Sequence, residues 1–317
     1  MIVLPDASSQ PIETPPEVLP PRPRRRARSG CTCLILALAL LVMIPVSLAG
    51  LAAVLYLLFP PAPLDVVILG VDARPGEGYA ARTDTVLLLN ADPADLGISL
   101  FSIPRDLYLV VPGYGAQRIN TINALGEQDT PGGGPALVQA ALAENFPVQP
   151  DRYVRLDFAA FVTLVDALGG ITIDVPGEIV DTQYPTADGG TMTVRFEAGV
   201  QRLDGTQALA YARTRHADDD YRRIERQQQV ILGVLNELVQ PENWPRLPEL
   251  MQDFFAAVDT DLTPTDLLIL APPVWFGLAR DDVAQLTIDR DLIGRSPDGY
   301  AVPDYAAINP WLEDNFD

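Results

Sequence analysis

Hydrophobic and polar positions beyond residue 64 follow two alternating patterns. Short apolar runs bounded by Gly, Pro or Asp predict strands over 65–70, 85–90, 97–102, 107–111, 153–156, 171–175 and 283–288. Apolar positions that recur every three or four residues predict helices over 135–146, 158–168, 205–212, 221–239, 246–258 and 264–270. Gly169 and Gly170 mark a helix end, and Asp204 and Thr263 are expected N-caps. Interleaved strands and helices predict a single α/β domain, with a mixed central sheet and helices on both faces.

A longer apolar segment precedes this domain. From Cys31 to Phe59 the chain carries no charged residue, and about 20 apolar residues suffice for a helix to cross a bilayer. Five arginines between Arg22 and Arg28 come directly before the segment, whereas the first charge after it is Asp65. The positive-inside rule then keeps the N-terminus in the cytoplasm. We therefore predict a disordered, proline- and arginine-rich cytoplasmic tail over 1–29, a transmembrane helix over 30–59 and an extracytoplasmic domain over 60–317.

A cleaved signal peptide is the competing interpretation of this segment, because Ser47, Leu48 and Ala49 resemble a small-residue cleavage site. The apolar run continues for ten residues past Ala49, which favours a retained anchor. Cys31 and Cys33 lie on the cytoplasmic side of the span, so they indicate neither lipid attachment nor an exported disulfide.

Composition excludes several kinds of chemistry. The 317-residue chain has 22 basic and 42 acidic side chains, a net charge of −20, and every base is arginine because the chain contains no lysine. Schiff-base catalysis and the lysine sites of P-loop and kinase enzymes are therefore excluded. One histidine and two cysteines cannot assemble a zinc, copper or iron–sulfur site, so any metal must be a hard ion on carboxylates, such as Mg2+. Nucleic acid is not an expected partner, because so acidic a chain repels a phosphate backbone.

Arginines nonetheless concentrate in one segment of the domain. Five of the 17 arginines beyond the membrane span lie between Arg213 and Arg226. Arg213 and Arg215 are two apart, so in an extended segment both guanidinium groups leave from the same side. Arg223 and Gln227 are four apart and share one face at the start of the long helix, which is a ready site for a phosphate group. The alternative is an internal salt-bridge network with the neighbouring acids Asp218, Asp219, Asp220 and Glu225.

A second polar cluster is expected at the sheet edge. Asp72 follows one apolar strand and Asp84 precedes the next, so two carboxylates at adjacent strand ends can share one Mg2+. Ordinary turn chemistry is the alternative for both aspartates. Arg105 follows a proline at a strand break, which presents its side chain at an edge.

Seven segments occur in a distinctive order: GVDAR (70–74), RTDT (82–85), SIPRD (102–106), RINTIN (118–123), LDFAAFVTLVDALGGITIDV (156–175), LDGTQALAYARTRH (203–216) and RRIERQQQV (222–230). In order and spacing they resemble the LytR-CpsA-Psr family of bacterial envelope proteins, over roughly residues 64–240. The resemblance implies a domain outside the bacterial cytoplasmic membrane that transfers glycopolymers from a polyprenyl-pyrophosphate carrier to peptidoglycan. It also implies an apolar cavity for the lipid chain. The partners would be the lipid-linked glycopolymer, the peptidoglycan acceptor and the lipid bilayer.

The resemblance assigns roles position by position. It gives Mg2+ to Asp72 and Asp84, and the pyrophosphate to Arg82, Arg105, Arg118, Arg213, Arg215, Arg223 and Gln227. The expected catalytic set is Arg105, Asp84, Arg213 and Arg215. Three features depart from the family pattern: Arg118 where lysine is frequent, Arg222 where glycine is frequent, and a short acidic insert over 217–220.

The expected reaction is magnesium-assisted phosphoryl transfer without a covalent enzyme intermediate, with pyrophosphatase as a side activity. An acceptor sugar hydroxyl attacks the glycan-linked phosphorus, arginines and Mg2+ neutralise the charge on the leaving lipid phosphate, and Asp84 or Asp106 is the base. A lipid-linked substrate requires an apolar tunnel that ends at Arg213, Arg215 and Asp84. The helix over 158–168 is expected to be mainly core, although in this family such helices also border the lipid cavity.

Three other functions compete with this one. A non-catalytic envelope assembly protein that binds polyprenyl lipid or glycan would use the same residues and is the main alternative. A Ser-His-Asp hydrolase is disfavoured because no G-x-S-x-G motif accompanies His216, the single histidine. An intracellular transcriptional regulator is disfavoured because the predicted cytoplasmic tail is too short to fold into a DNA-binding domain.

Overall fold

The computed structural model describes residues 29–73, 78–186, 189–215 and 220–316. The chain divides into two compact units, one that ends at Val54 and one over Leu55–Asp317. Helix α1 covers Ser29–Leu58, and its part Leu36–Leu58 is, by length and composition, long and apolar enough to cross a membrane. Residues 1–28 of the predicted tail lie outside the described residues.

The remaining elements alternate in type along the chain. The strands are β1 Leu64–Val71, β2 Thr83–Asp92, β3 Gly97–Ser102, β4 Tyr108–Val111, β5 Gly115–Arg118, β6 Arg152–Asp157, β7 Ile171–Val175, β8 Ile179–Pro185, β9 Thr191–Phe196, β10 Gly199–Leu203, β11 Asp259–Thr260, β12 Val283–Thr287, β13 Ile293–Arg295 and β14 Ala301–Pro303. The helices are α2 Ile119–Asp129, α3 Gly134–Asn145, α4 Phe158–Ala167, α5 Gly205–Arg213, α6 Asp220–Val239, α7 Leu247–Ala257, α8 Pro264–Arg280 and α9 Tyr305–Phe316, with short 3-10 helices over Pro241–Arg246 and Arg290–Leu292.

A six-stranded sheet organises the domain, with the strand order β11-β6-β1-β2-β3-β12. β1 is antiparallel to β2 and parallel to β6, and β3 is parallel to β12. The sheet is therefore mixed, and the predicted α/β class is confirmed. Four two-stranded ladders surround it within the described part of the chain.

The two faces of the sheet pack against different helices. Along β1, Val67 and Leu69 point into a cluster that contains residues of α2, α3 and α9. Ile68 points to the other face and packs with residues of α6 and α8. Because successive side chains of a strand alternate between faces, one apolar strand serves both layers. Helices on both faces, as predicted, are observed.

Helix α8 is longer than predicted. The expected segment, 264–270, begins correctly at the N-cap Thr263, but the helix continues to Arg280 through Pro272 and Pro273. Pro273 has no N–H to donate to the carbonyl of Ile269. That carbonyl oxygen instead accepts a hydrogen bond from the hydroxyl of Tyr56 at 3.0 Å, which replaces the bond that the proline removes.

The two edge strands of the central sheet come from the C-terminal part of the chain. β12 corresponds to the strand predicted over 283–288. β11 was not predicted, because a strand of two residues is too short to show an alternating pattern.

A buried carboxyl group lies where β1 begins. The side chain of Asp65 accepts a hydrogen bond from Nδ2 of Asn90 at 2.9 Å, and its backbone N–H donates to the carboxylate of Asp151 at 3.0 Å. Burial raises the pKa of Asp65 to about 7, the negative charge of Asp151 adds to this rise, and the Asn90 hydrogen bond opposes it.

This pKa predicts a specific dependence of stability on pH. Because the folded chain holds the Asp65 proton more tightly than the unfolded chain does, the stabilisation is present at low pH and is lost as the pH rises through about 7. Between mildly acidic and mildly alkaline pH, the Asp65→Asn variant should therefore lose less stability than the wild type. Thermal unfolding of the detergent-solubilised chain measures this loss. The exposed control Asp298→Asn should keep the wild-type pH dependence. An identical pH dependence in Asp65→Asn would contradict the prediction.

Candidate functional site

A cavity of about 1920 Å³ lies between one face of the central sheet and helices α4, α6, α7 and α8. Ile68 of β1 and Val154 and Leu156 of β6 form part of its floor. These three side chains are only half-buried, although they belong to central strands. Val67 and Leu69, on the opposite face of β1, are fully buried. One face of the sheet is therefore close-packed, and the other is held away from its helices.

All the charged residues that line the cavity are arginines or aspartates. They comprise six arginines and four aspartates: Arg82, Arg105, Arg118, Arg213, Arg215, Arg223, Asp72, Asp84, Asp106 and Asp157. Their charges leave an excess of two positive charges, in a chain with a net charge of −20. Gln227 also lines the cavity, so the structure brings every predicted metal, catalytic and pyrophosphate residue to one cavity. Their individual roles stay predictions.

Sheet register explains how the aspartates meet. β1 and β6 are parallel, and Val71 at the end of β1 pairs with Asp157 at the end of β6. On its other side Val71 pairs with Thr83 of β2, and the backbone N–H of Asp72 donates to the carbonyl of Arg82 at 3.0 Å. Asp72 and Asp84 therefore flank the same end of the β1–β2 pair, at the carboxyl ends of the parallel strands, where open α/β sheets bind ligands.

Arg105 joins this sheet edge to the next segment of the chain. Its Nη1 lies 2.7 Å from Oδ1 of Asp84, and its Nε lies 3.7 Å from Oδ2 of Asp106. Asp106 is in turn 4.0 Å from Nη1 of Arg118. The carbonyl of Arg105 also accepts from the backbone N–H of Asn120, in the first turn of α2, at 3.3 Å. The cations and carboxylates thus alternate along one side of the site.

The Arg213–Arg215 segment differs from its prediction. Arg213 is the last residue of α5 and not part of an extended segment, and only the residues after it are extended. Its guanidinium stacks 4.1 Å above the ring of Phe158 and donates to the Tyr184 hydroxyl at 3.3 Å. Within the described residues neither Arg213 nor Arg215 forms an ion pair with a carboxylate.

Asp181 fixes the turn between these two arginines. Its buried carboxylate accepts from Oγ1 of Thr214 at 3.2 Å and from the backbone N–H of Arg215 at 3.3 Å. Thr214 is fully buried, and the arginines on either side of it both reach the cavity. Sequence reasoning missed Asp181, because no element was predicted over 179–185.

The start of α6 supplies two more polar groups. Arg223 and Gln227 are buried on one face of this helix and line the cavity together, as their spacing predicts. Arg222 is exposed and forms an ion pair with Glu225 at 2.9 Å. For this arginine, the alternative of an internal salt bridge with a neighbouring acid is therefore correct. His216 and the acidic insert up to residue 219 lie outside the described residues, as does Arg74.

Asn120 is a cavity residue that the sequence analysis did not single out. Its Oδ1 is buried and has no hydrogen-bond partner among the described residues. Such an oxygen is stabilised when a ligand brings a donor or a cation to it. The RINTIN segment contains this residue, and the motif itself was therefore the available signal.

Arg155 was also missed, and it holds the site from behind. It lies in β6 and is only 3% exposed. Its guanidinium forms ion pairs with Glu127 of α2 and Asp259 of β11, and Nη1 donates to Oδ1 of Asn123 at 3.0 Å. Burial raises the pKa of Glu127, but hydrogen bonds from Arg155 and from backbone N–H groups outweigh this and leave the pKa below its usual value.

The same network fixes the segment that leads to Arg82. The ring of Tyr79 lies 4.2 Å from the Arg155 guanidinium. Nδ2 of Asn123 donates to the carbonyls of Tyr79 at 2.8 Å and Ala81 at 3.2 Å. A buried cation therefore positions the backbone directly before Arg82.

The rest of the cavity is apolar, and its direction follows from two helices. α4 begins at Phe158, beneath Arg213, and ends at Ala167, whose carbonyl accepts from Arg246 at 2.9 Å. Ten helical residues rise about 15 Å. α6 likewise runs from Gln227 at the charged end to Leu238, which lines the apolar part. The structure thus has an apolar cavity that ends at the arginines, as the sequence account requires.

The end of the cavity away from the arginines carries two tryptophans, and we call it the aromatic mouth because Trp244 is exposed there. Nε1 of Trp244, which follows α6, donates to the carbonyl of Val239 at 3.3 Å. The ring of Trp244 lies 5.3 Å from the ring of Trp275 in α8. Both residues line the cavity, so its two ends differ in character: one is charged and the other aromatic.

The metal-binding capacity of the site is modest. Among the described residues no group of three or more His, Cys, Asp or Glu side chains could hold a metal ion. Asp72 and Asp84 offer two carboxylates, one of which already accepts from Arg105. Two carboxylates fit Mg2+ when substrate phosphates and waters supply the other ligands, and they do not fit a metal that needs an all-protein cage.

Comparisons with known proteins agree with this architecture. The sequence profile of the LytR_cpsA_psr family matches residues 60–308 of this chain. A relative from Oceanobacillus iheyensis, named polyisoprenyl-teichoic acid--peptidoglycan teichoic acid transferase TagU, is 32% identical over 228 residues, which cover 71% of this chain and 67% of TagU. The regulatory protein MsrR of Staphylococcus aureus (strain COL) is 30% identical over 229 residues, and the chain spans 71% of its own length and 64% of MsrR.

Solved structures show the same fold. The crystal structure of B. subtilis TagU is 25% identical, with a TM-score of 0.58, and the match covers 81% of this chain and 98% of that one. The crystal structure of B. subtilis TagV has 21% sequence identity and a TM-score of 0.62, and the match covers 81% of this chain and 98% of TagV. At this identity the likeness is evidence for the fold and not for the function.

The buried contacts of Arg155 predict that two arginine substitutions lower the free energy of unfolding by different amounts. Arg155→Met leaves two carboxylates without their cation and should lower the free energy of unfolding by roughly 3–5 kcal/mol. The control Arg195→Met breaks the exposed pair with Glu178 and should cost about 1 kcal/mol or less. Denaturant unfolding of the detergent-solubilised chain measures both. Equal losses would show that the buried network does not stabilise the fold.

Proposed function

The chain belongs to the LytR-CpsA-Psr family, and we propose that it is an enzyme that transfers a glycopolymer from a polyprenyl-pyrophosphate carrier to a cell-wall acceptor such as peptidoglycan. One observation carries the proposal: a single cavity joins an arginine-rich end to a long apolar interior. The Oceanobacillus iheyensis relative TagU is named as a teichoic acid transferase, which supports the reaction class.

Polyprenyl pyrophosphate has the chemistry that this cavity complements. Its head is a dense anion, and the charged end has an excess of positive charge from arginines, whose planar forks bind phosphate oxygens in pairs. Its tail is a long hydrocarbon, and α4 and α6 line an apolar path of matching character. A free sugar phosphate or nucleotide would leave that apolar volume unfilled.

The proposed reaction is a direct phosphoryl transfer. A hydroxyl of the acceptor sugar attacks the glycan-linked phosphorus, a new P–O bond forms, and the bond to the bridging oxygen breaks. The hydroxyl proton passes to a carboxylate, and polyprenyl phosphate leaves with the bonding electron pair. Arg105 contacts both candidate bases, Asp84 and Asp106. It would therefore hold either carboxylate near the pyrophosphate and also stabilise the negative charge of the phosphate oxygens.

We further propose that Asp72 and Asp84 hold Mg2+ against the pyrophosphate. When bound, the ion would neutralise charge on the phosphate oxygens. Asp84 would then serve both the ion and Arg105, whereas Asp106 has longer contacts, 3.7 Å to Arg105 and 4.0 Å to Arg118, which favours Asp106 as the base.

The apolar helix supports a place for this enzyme in the membrane. We propose that Leu36–Leu58 is a retained, single transmembrane span of the bacterial cytoplasmic membrane. The five arginines before it favour a cytoplasmic N-terminus, which would put the catalytic domain outside, beside the cell wall.

Removal of Arg105 tests the site. Arg105→Ala should lose about 2–4 kcal/mol of transition-state stabilisation, by analogy with one oxyanion-hole donor, which is roughly a 30- to 1000-fold fall in transfer rate. Transfer of labelled polymer from a polyprenyl-pyrophosphate donor to peptidoglycan measures the effect. Arg295→Ala is the matched control, because Arg295 lies in the β13–β14 hairpin and does not line the cavity. A folded Arg105→Ala variant with the normal rate would contradict the assignment.

Metal dependence separates an enzyme from a pure binder. The wild type should release polyprenyl phosphate from the donor with Mg2+ and not after chelation, and Asp72→Ala should release little in either condition. A scaffold protein would bind the lipid and release nothing with the metal present. Release that persists after complete chelation would exclude the proposed role of the two aspartates.

A further inference from the structure

Large apolar side chains are exposed around the aromatic mouth of the cavity. Trp244 is 51% exposed, Leu268 is 73% exposed and Phe276 is 45% exposed. Trp244 and Leu268 line the cavity, and Trp275 contacts Trp244. In α8, Trp275 follows Leu268 by seven residues and Phe276 follows it by eight, so the three side chains share one face of that helix. A contiguous exposed apolar patch on a protein surface usually marks a binding surface.

Chain connectivity and packing place α8 close to the last residues of the membrane span. The span ends at Leu58 and β1 begins at Leu64, and six residues reach at most about 20 Å. Leu64 packs in a cluster that includes Leu267 and Leu270 of α8. The hydroxyl of Tyr56 also bonds the carbonyl of Ile269, the one that Pro273 leaves without its helical donor. Helix α8 is therefore tied to the chain on both sides of the point where the span ends.

We propose that the mouth face, defined by Trp244, Leu268, Trp275 and Phe276, docks on the surface of the lipid bilayer. Tryptophan prefers the interface between water and hydrocarbon, where its ring is partly buried and its N–H stays near polar groups. In that position the aromatic mouth of the cavity opens to the bilayer, and a lipid tail passes between membrane and cavity without crossing water. The inference rests on the proposed membrane anchoring and does not depend on catalysis.

The chemistry of the face predicts which lipids it needs. Its contact groups are apolar, and the neighbouring 3-10 helix carries exposed charges of both signs, Glu242 and Arg246. Docking should therefore occur on zwitterionic phosphatidylcholine and persist at high salt, because apolar burial and not charge attraction holds it.

Tryptophan quenching tests the proposal with three residues that the chain already has. Trp311 lies in α9 and packs against the cluster on the opposite face of the sheet, so it is an internal control. The full chain is reconstituted in phosphatidylcholine vesicles with brominated acyl chains, as three single-tryptophan variants made by Trp→Phe substitution. Trp244 and Trp275 should be quenched several-fold more than Trp311. Equal quenching of all three residues would overturn the proposal.

A second comparison distinguishes docking from simple proximity to the membrane. Leu268→Asn combined with Phe276→Asn should reduce the quenching of Trp244 and Trp275 to the Trp311 level. Val200→Asn, at a 72% exposed position in β10, should leave it unchanged. Vesicle flotation is measured on every sample. If the chain floats but no tryptophan is selectively quenched, the docking proposal is refuted and the membrane anchor is not. If the chain does not float, both the anchor and the docking proposals are overturned. Transfer activity is assayed separately, so a loss of catalysis cannot be mistaken for a loss of docking.

Discussion

The fold is organised around a cavity of about 1920 Å³ beside the central sheet. A close-packed interior loses stability around a cavity, so the surrounding elements must hold it open. The fold does this by packing the opposite face fully, with Val67 and Leu69 buried among three helices. Helices α4 and α6 then bridge the open side from the charged end to the aromatic mouth.

The charged end obeys a second constraint, because several arginines must share a small region without being neutralised. Two of them are held through uncharged or backbone contacts. Arg213 lies on the ring of Phe158, and Asp181 binds the backbone N–H of Arg215 and not its guanidinium. Arg105 and Arg118 differ, because Asp84 contacts Arg105 and Asp106 lies 4.0 Å from Arg118. An acidic chain can therefore present a local excess of positive charge, and its net charge of −20 describes the remaining surface.

The sequence predicted those parts of the molecule that depend on local patterns. Five of the six strands of the central sheet, the capping residues Asp204 and Thr263 and the shared face of Arg223 and Gln227 all follow from spacing. Features that depend on tertiary contacts were missed. Helix α8 passes Pro273, where Tyr56 supplies a distant donor to the Ile269 carbonyl, and α4 was expected to be mainly core, although eight of its ten residues line the cavity. Asp181 and Arg155 act on residues more than 25 positions away, which no local pattern reports.

We propose that one cavity holds the pyrophosphate at its arginines and the lipid chain along α4 and α6. A polyprenyl pyrophosphate of short chain length, with a photoreactive diazirine at the far end of that chain, gives the sharpest test. Crosslinks should form to the segment around Trp244 or to α7 and α8, and they should be lost when unlabelled polyprenyl pyrophosphate competes. Crosslinks to α2, α3 or α9, or labelling that the competitor does not reduce, would show that the lipid chain lies elsewhere.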